Sequence, residues 1–383
     1  MSRRCRRLRL WRLSRRLPRS NTLLVVKGKR LGLRKYLGLK IFKSIYDGVV
    51  ERHRLRTLFW ECTLRCNLRC RHCGSDCRTD ASELDMPLQD FLDVLDNEVT
   101  PNVDPKEVLI IFSGGEVLVR KDLEEAGREV TKRGYMWGMV TNGLSLSRER
   151  LHSLVDAGLR TVSVSFDGFA DIHNDIRQNP DSFAKAERAI DYIRQVEGLT
   201  YDVITCVTPA ILERLEEWRE YLISRGISHW RIFSIFPAGR AKRDDKLHLN
   251  AEQFRSLMEF IRRTRKEGRI ELNYACEGFL GGYETEVRDH FYMCNAGITV
   301  ASIRVNGDIS GCTSVRGNYA QGNIYRDKFW DVWQNRFTEY RDREWTKCDE
   351  CSDCKVWEFC RGGGMHLRDD KGKLMYCHYN MLK

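Results

Sequence analysis

The stretch Cys66-Asn67-Leu68-Arg69-Cys70-Arg71-His72-Cys73 places three cysteines at the spacing C-x3-C-x2-C, directly after an apolar run. Three thiolates can hold a metal cluster and leave one metal ion with an open coordination position. Zinc would instead need a fourth ligand, for which Cys62, Cys77 and His72 lie close in the sequence. The spacing therefore predicts a metal centre, either an open cluster or a closed zinc site.

The region around this stretch alternates strand patterns with helical patterns. The candidate strands are residues 57–62, 107–113, 136–141, 161–166, 202–207 and 230–235, and amphipathic stretches lie between them. Strands that alternate with helices are typical of parallel βα units. Because a closed barrel of this kind has eight units, six of them predict a partial, open barrel. The expected fold class is α/β: a partial (β/α)6 TIM-like barrel over residues 57–240.

Polar and glycine-rich turns follow several of these strands. Ser113-Gly114-Gly115-Glu116 comes after the second strand, and Ser165-Phe166-Asp167-Gly168 comes after the fourth. In parallel barrels the chemistry takes place at the C-terminal ends of the strands. We therefore expect these turns and the cysteine stretch to meet at one mouth of the barrel.

The chain changes character after the barrel. Residues 241–275 are predicted to form a bridging helix and linker, and residues 276–383 are rich in cysteine and glycine but poor in apolar runs. A region with so little core material needs a metal to hold it together. The sequence thus predicts a small cysteine-rich domain after the barrel.

Charge is concentrated at the N-terminus. The 383-residue chain has a net charge of +11, yet residues 1–56 alone hold 19 Lys or Arg against Asp47 and Glu51. This basic N-terminal arm and helix is typical of a solvated tail, and contact with an anionic surface is the alternative. The chain lacks the ~18-residue apolar run of a membrane span, so we expect a cytoplasmic protein. In a reducing compartment, metal ligation is the favoured use of the 15 cysteines.

The cysteine stretch and the Gly-Gly-Glu turn together resemble the radical SAM superfamily. The resemblance implies that Cys66, Cys70 and Cys73 hold a [4Fe–4S] cluster whose open iron binds S-adenosylmethionine. One electron then cleaves the sulfonium to a 5′-deoxyadenosyl radical, which abstracts hydrogen from the substrate. The cofactor contacts that the resemblance implies are His72, Ser113, Gly114, Gly115, Glu116, Ser165, Asp167 and Arg177.

The C-terminal cysteines resemble the SPASM extension of radical SAM enzymes, whose pattern is C-x9–15-G-x4-C, C-x2-C-x5-C-x3-C and a final cysteine. Cys294, Gly307 and Cys312 match the first part. Gly364 stands where the last cysteine of the second part is expected, which puts one ligand in doubt. The resemblance implies one complete auxiliary [4Fe–4S] set: Cys351, Cys354, Cys360 and Cys377.

A second auxiliary cluster needs ligands from elsewhere. Two cysteines that the pattern leaves unassigned complete a set of four: Cys276, Cys294, Cys312 and Cys348. A zinc ribbon is the competing interpretation of the same region: Cys348, Cys351, Cys354 and Cys360. The runs Cys360–Gly364 and Arg34–Gly48 are also similar to radical SAM/SPASM enzymes of systems that contain a lipoprotein.

Three functions follow from these patterns. The first is modification of a peptide or protein substrate, with a flavodoxin or ferredoxin as electron donor. Sulfatase-type oxidation is disfavoured, because Thr313 stands where those relatives carry an aspartate after the second SPASM cysteine. The second is a radical reaction on a small molecule or tetrapyrrole. The third, a non-catalytic metal-stabilised protein that binds nucleic acid through the basic arm, is the least favoured.

Overall fold

The computed structural model describes residues 31–78, 84–275 and 277–383, and its framework is one ten-stranded sheet. The strands β1 to β8 run parallel to one another, and β9 and β10 add an antiparallel edge beside β8. The strands are β1 Thr57–Thr63, β2 Leu109–Gly114, β3 Met136–Thr141, β4 Leu159–Ser165, β5 Thr200–Val207, β6 His229–Ser234, β7 Glu271–Tyr274, β8 Val300–Ile303, β9 Asp308–Ser310 and β10 Gly322–Asn323.

The strand order is β10-β9-β8-β1-β2-β3-β4-β5-β6-β7. The edge strands are β10 and β7, so the sheet of the described residues is open rather than a closed barrel. This order confirms the predicted α/β class with a partial parallel barrel followed by a cysteine-rich region. The six predicted strands are β1 to β6. The structure adds β7 beside β6 and β8 beside β1, two four-residue strands that are too short to show a period in the sequence.

Helices connect the strands and cover the outside of the sheet. Three helices begin with a side-chain cap, as where the Ser147 hydroxyl accepts from Arg150 N–H. The helices are α1 Leu33–Arg52, α2 Leu88–Val94, α3 Leu123–Lys132, α4 Arg148–Asp156, α5 Ala170–Arg177, α6 Ser182–Arg194, α7 Pro209–Leu212, α8 Leu215–Ser224, α9 Ala251–Glu267, α10 Phe329–Asn335, α11 Thr338–Arg341, α12 Trp357–Cys360 and α13 His378–Met381.

Aromatic side chains fill the space between the sheet and its helices. Trp60 on β1 stacks on Phe91 of α2 with ring centroids 4.6 Å apart, and Phe112 stacks on Trp137 at 4.8 Å. All four rings are fully buried. Because truncating such a ring to alanine costs about 3–5 kcal/mol, this layer fixes the strand ends that carry the site.

Candidate functional site

The three cysteines of the predicted cluster lie together at the mouth of the barrel. Cys66 and Cys70 are buried in one small apolar cluster with Cys77, and Cys73 packs against it. Besides burial, the charges of Cys70 and Cys73 raise the pKa of Cys66, and the charge of Cys73 raises the pKa of Cys70, which shows that the three lie close together. The donor set therefore fits a metal cluster held by three thiolates.

The thiol pKa values describe the same pocket. Burial raises the pKa of Cys66 to about 12 and also raises the pKa of Cys70. A hydrogen bond from Cys77 instead lowers the pKa of Cys73. Buried thiols without a cation keep their protons, so metal binding must replace those protons with the positive charge of the metal.

Arg240 holds the cysteine loop from the opposite side of the barrel mouth. Its guanidinium donates to the carbonyls of Cys70 at 2.7 Å and Cys77 at 2.9 Å, and its N–H donates to the carbonyl of Cys73 at 3.0 Å. Gly239 precedes it at φ 54°, and a Cβ there would lie 2.4 Å from the Cys73 carbonyl. The loop that follows β6 thus packs backbone to backbone on the cluster loop.

A buried ion pair joins the fourth strand to the cluster loop. Asp167 follows β4 and accepts from the guanidinium of Arg177 at 2.6 and 2.8 Å, and Arg177 also donates to the Cys70 thiol at 3.7 Å. Burial raises the pKa of Asp167, but the charge of Arg177, together with His72, His173 and the Cys206 N–H, outweighs burial and holds that pKa below its ordinary value. Ser165 lies half-buried at the end of the same strand.

The Gly-Gly-Glu turn packs tightly on the end of β1. A Cβ at Gly114 would lie 2.0 Å from the Thr63 carbonyl, and one at Gly115 would lie 2.2 Å from the Arg65 carbonyl. Only glycine permits this approach. The turn therefore needs its glycines to bring the strand ends together beside the cysteine loop.

Glu116 is wholly buried, and protein donors already occupy its carboxylate. One oxygen accepts from Leu118 N–H at 3.1 Å and from the Thr141 hydroxyl at 2.7 Å, and the other accepts from Asn142 N–H at 2.7 Å. Burial raises its pKa. Its carboxylate thus ties the turn to the end of β3, which leaves backbone carbonyls as the acceptors that can face a ligand.

A cavity of about 210 Å³ opens beside the cysteine loop. His72 lines it, and its Nδ1 is buried with no hydrogen-bond partner among the described residues. Burial lowers the pKa of His72 to about 4, so the ring stays neutral at ordinary pH. The remaining walls come from both halves of the chain: Gly74, Ser75, Ser113, Gly114, Cys206, Phe233, Ser234, Ile235, Phe236, Ala238, Thr313, Ser314 and Arg316.

One buried polar network starts at this cavity. The Ser234 hydroxyl donates to Glu277 Oε2 at 2.5 Å, and Tyr274 donates to the same oxygen. His378 Nε2 lies 3.3 Å from it, and Glu277 Oε1 has no partner among the described residues. Since Ser234 lines the cavity and His378 lines the pocket of the auxiliary cysteines, the network connects the two sites.

The four cysteines of the complete auxiliary set share a single pocket. Burial raises the pKa of Cys360 to about 12, and the charges of the other three cysteines raise it further. Arg368 donates to the Cys351 thiol at 3.8 Å. These four thiols fit a closed metal cluster: Cys351, Cys354, Cys360 and Cys377.

The structure places the second auxiliary set only in part. Cys294 lies close enough to Cys312 to raise its pKa, after burial as the larger cause. The Cys348 thiol donates to the carbonyl of Trp345 at 3.6 Å. Cys276 lies outside the described residues. This set therefore stays a prediction.

Gly364 has a steric reason to lack a side chain. A Cβ at this position would lie 2.6 Å from Cε1 of His366 and 2.8 Å from the carbonyl of Glu277. The chain segment at Glu277 thus occupies the space in which a cysteine side chain would begin. This packing explains the departure from the SPASM pattern that the sequence shows.

Two supporting residues were absent from the sequence predictions. Arg240 follows a glycine in the loop after the last predicted strand, and that pairing is a weak signal. Asn142 donates to the Cys66 thiol at 3.9 Å. Contacts that support the ligands in this way depend on how loops distant in sequence pack together. The spacing of the cysteines does not show this.

Two known families match parts of the chain. Residues 60–222 match the radical SAM superfamily, and residues 294–355 match SPASM, an iron–sulfur cluster-binding domain. The chain belongs to the radical SAM superfamily and carries a SPASM extension. It is therefore an enzyme, with S-adenosylmethionine and [4Fe–4S] clusters as cofactors, and the non-catalytic interpretation is wrong.

Relatives and solved structures extend the similarity over most of the chain. An AdoMet-dependent heme synthase of Oleidesulfovibrio alaskensis is 26% identical over 82% of this chain and 84% of its own length. Mycofactocin maturase MftC of Mycolicibacterium smegmatis is 29% identical over 80% and 77%. The fold is similar to native anSMEcpe with bound AdoMet and the Cp18Cys peptide, with a TM-score of 0.65, 19% identity and coverage of 86% and 93%.

Among the described residues, no helix combines the length and the apolar character that crossing a membrane requires.

Proposed function

We propose that this enzyme modifies a peptide or protein substrate by radical abstraction of a hydrogen atom. The observation that carries the proposal is the cavity that the barrel and the SPASM region line together, next to the predicted cluster. When bound, a [4Fe–4S] cluster with S-adenosylmethionine supplies the 5′-deoxyadenosyl radical that abstracts the hydrogen. A substrate atom must therefore reach this cavity.

The residues around the cavity have distinct parts in this proposal. Cys66, Cys70 and Cys73 hold the cluster, and Arg177 offsets the negative charge that three thiolates bring into the site. His72 offers a neutral ring edge with a free Nδ1 to the cofactor.

The other predicted cofactor contacts come from the strand ends. Backbone carbonyls of the Ser113 to Gly115 turn accept from the cofactor amine, while Glu116 keeps that turn in place. Ser165, half-buried at the end of β4, is proposed to contact the sugar of the cofactor. Asp167 is fully buried and bonded to Arg177 and to Cys206 N–H, so its proposed part in cofactor binding is to act through Arg177. Asp167 orients Arg177 through two hydrogen bonds.

The auxiliary clusters are assigned from the cysteine geometry. Cys351, Cys354, Cys360 and Cys377 hold one cluster. A second is proposed on Cys276, Cys294, Cys312 and Cys348, and the proximity of Cys294 to Cys312 supports it. A flavodoxin or ferredoxin supplies the electron.

The space beside the cofactor favours a peptide. His72, Ser113 and Gly114 are walls of the cavity and also predicted cofactor contacts, so the cofactor takes part of its volume of about 210 Å³. The remaining space suits one side chain of a peptide, with the rest of the chain outside. The similarity to mycofactocin maturase MftC also supports a peptide substrate.

A tetrapyrrole is the second candidate. The specific support for it is the similarity to the AdoMet-dependent heme synthase over more than four-fifths of both chains. A macrocycle would have to bind across the cavity mouth and insert one propionate rather than enter as a whole.

The decisive experiment follows hydrogen transfer in the anaerobically reconstituted holoenzyme. Reduced enzyme is expected to form 5′-deoxyadenosine from S-adenosylmethionine, and the Cys66→Ala variant is expected to form none. In ordinary water, candidate peptides carrying deuterium at one carbon are then compared with a deuterated porphyrin. Deuterium in 5′-deoxyadenosine from a peptide supports the proposal, whereas deuterium only from the porphyrin assigns the second function.

A further inference from the structure

Helix α1 has two apolar faces, and the body of the protein covers only one of them. On the covered face Leu39 and Tyr46 are 2% and 4% exposed. Phe42 packs against Phe291 with ring centroids 5.5 Å apart. This face explains why the helix lies on the SPASM region.

The other face carries an exposed row of four side chains, here named the α1 stripe. Leu33 is 66% exposed, Leu37 52%, Ile41 65% and Ile45 55%. Residues four apart lie above one another on a helix, so the row is continuous. At about 100° per residue, its centre lies about 150° around the helix from the covered row.

The α1 stripe is unusual for this molecule. Of the seven large apolar side chains that the described residues expose, four belong to it. Single exposed apolar residues are normal on a protein surface, but a contiguous row marks a site of interaction. The row therefore needs a partner that accepts apolar side chains along one convex helix.

Contacts with the rest of the protein prevent α1 from rotating about its own axis, so the exposure of the α1 stripe is fixed. Lys40 pairs with Glu358 at 2.7 Å, and Lys35 pairs with Glu286 at 2.8 Å. The guanidinium of Arg361 lies 4.2 Å from the ring centre of Tyr46. These contacts fix the rotation of α1, so the stripe cannot turn inward without breaking them.

Charge indicates the chemistry of the partner. Residues 1–30, which end just before α1, contain 12 Lys or Arg and no acidic residue. Arg34 and Arg52 are exposed on the helix itself. An apolar helix face combined with a dense basic segment is the pattern of a helix that lies in the interface of an anionic membrane. The apolar row alone would also fit a groove on a protein, and the dense basic segment beside it favours an anionic lipid surface.

We infer that the α1 stripe docks this enzyme on an anionic lipid surface. Its four apolar side chains enter the boundary between headgroups and acyl chains, and the basic residues of the N-terminal segment contact the headgroups. Two signals of this kind are what stable peripheral attachment requires. The inference is independent of the substrate proposed above, because the stripe lies on a helix outside the cavity.

The test is flotation of the full chain with vesicles of phosphatidylcholine, with and without phosphatidylglycerol. The wild-type enzyme is expected to float with the anionic vesicles, and added salt should weaken this binding. Leu37→Asp/Ile41→Asp is expected to weaken it more than about tenfold. Leu84→Asp, at an apolar side chain that is 88% exposed elsewhere, is the matched control and should bind like wild type.

A second full-length variant measures the contribution of the basic segment to binding separately from that of the α1 stripe. Arg6→Glu/Arg7→Glu/Arg9→Glu should reduce binding and make it less sensitive to salt. All variants should form 5′-deoxyadenosine at the wild-type rate, which shows that they are folded. Equal flotation of the stripe variant and wild type would overturn the inference. A second result would also overturn it: the wild-type protein is a dimer that does not float, and the stripe substitutions convert it to a monomer. The stripe would then bind a second copy of the chain.

Discussion

The two cysteine regions of this enzyme are supported in different ways. The loop that carries Cys66, Cys70 and Cys73 is held by side chains of the barrel, above all by Arg240 and Arg177. These contacts do not need a metal. The barrel therefore supports the loop through protein contacts in addition to those that the cluster would supply.

The auxiliary region is built from shorter elements. Two of its four ligands lie at four-residue helices, Cys360 in α12 and Cys377 just before α13. Three of the four ligands pack against the main core, and Cys351 packs in a small separate one. Residues with positive φ accumulate here, among them Asp349 and Arg361. Short elements of this kind draw their stability from a bound metal. The difference suggests that one cluster serves chemistry and the other also serves folding.

Cys70→Ala gives the largest expected effect on activity. It removes one of three ligands, so formation of 5′-deoxyadenosine should fall at least about 1,000-fold. The midpoint of thermal unfolding should move by only a few degrees, because the barrel contacts remain. Chromatography of the nucleoside and anaerobic calorimetry measure the two quantities. Turnover close to wild type would show that Cys70 is no ligand.

For Cys360→Ala we expect the opposite of Cys70→Ala: a larger effect on stability than on activity. Loss of this ligand is expected to remove about four iron atoms per chain and to lower the unfolding midpoint further than Cys70→Ala does. Metal analysis and calorimetry report the result. Cys62→Ala is the matched control, because this buried thiol only donates to the Ser113 carbonyl at 3.4 Å. If Cys70→Ala proved the more destabilising variant, the distinction between the two regions would be wrong.

Much of the fold and of the site was predictable because both depend on short-range patterns. Six strands and the Cys66 loop follow from hydrophobic runs and from spacing. The short strands β7 and β8 were missed, since four residues are too few to show a period. A different limit applies to Arg240, and to Gly364, whose role depends on the carbonyl of Glu277. Contacts between distant segments leave no period to detect.

Arg177→Met tests the support of the catalytic loop. It would leave the Asp167 carboxylate buried without its partner, which costs about 3–5 kcal/mol of unfolding free energy. The double variant Arg177→Met/Asp167→Asn should recover part of that loss, because it buries no charge. Denaturant titration of all three proteins measures the difference. Equal stability of the single and double variants would show that the ion pair carries no such role.

The same pair predicts a dependence on pH. The folded pKa of Asp167 is below its ordinary value, so the pair stabilises the protein above pH ~4. This contribution disappears as the pH falls through the folded pKa. The stability advantage of wild type over Asp167→Asn should therefore be constant near neutrality and shrink in acid. An advantage that persists at low pH would contradict the assignment.

Gly364→Ala should have the smallest effect, and it tests why the SPASM pattern is broken. The backbone of Gly364 is at φ −66°, so alanine brings no backbone strain, and only the contacts with His366 and Glu277 oppose it. We expect a loss of about 1–3 kcal/mol in unfolding free energy, measured with denaturant. Gly32→Ala, where a Cβ meets nothing within 4 Å, is the control. Because the same clash meets any Cβ, Gly364→Cys should lose stability and gain no iron. A stable Gly364→Cys variant with more iron would show instead that the position is an empty ligand site rather than a packed one.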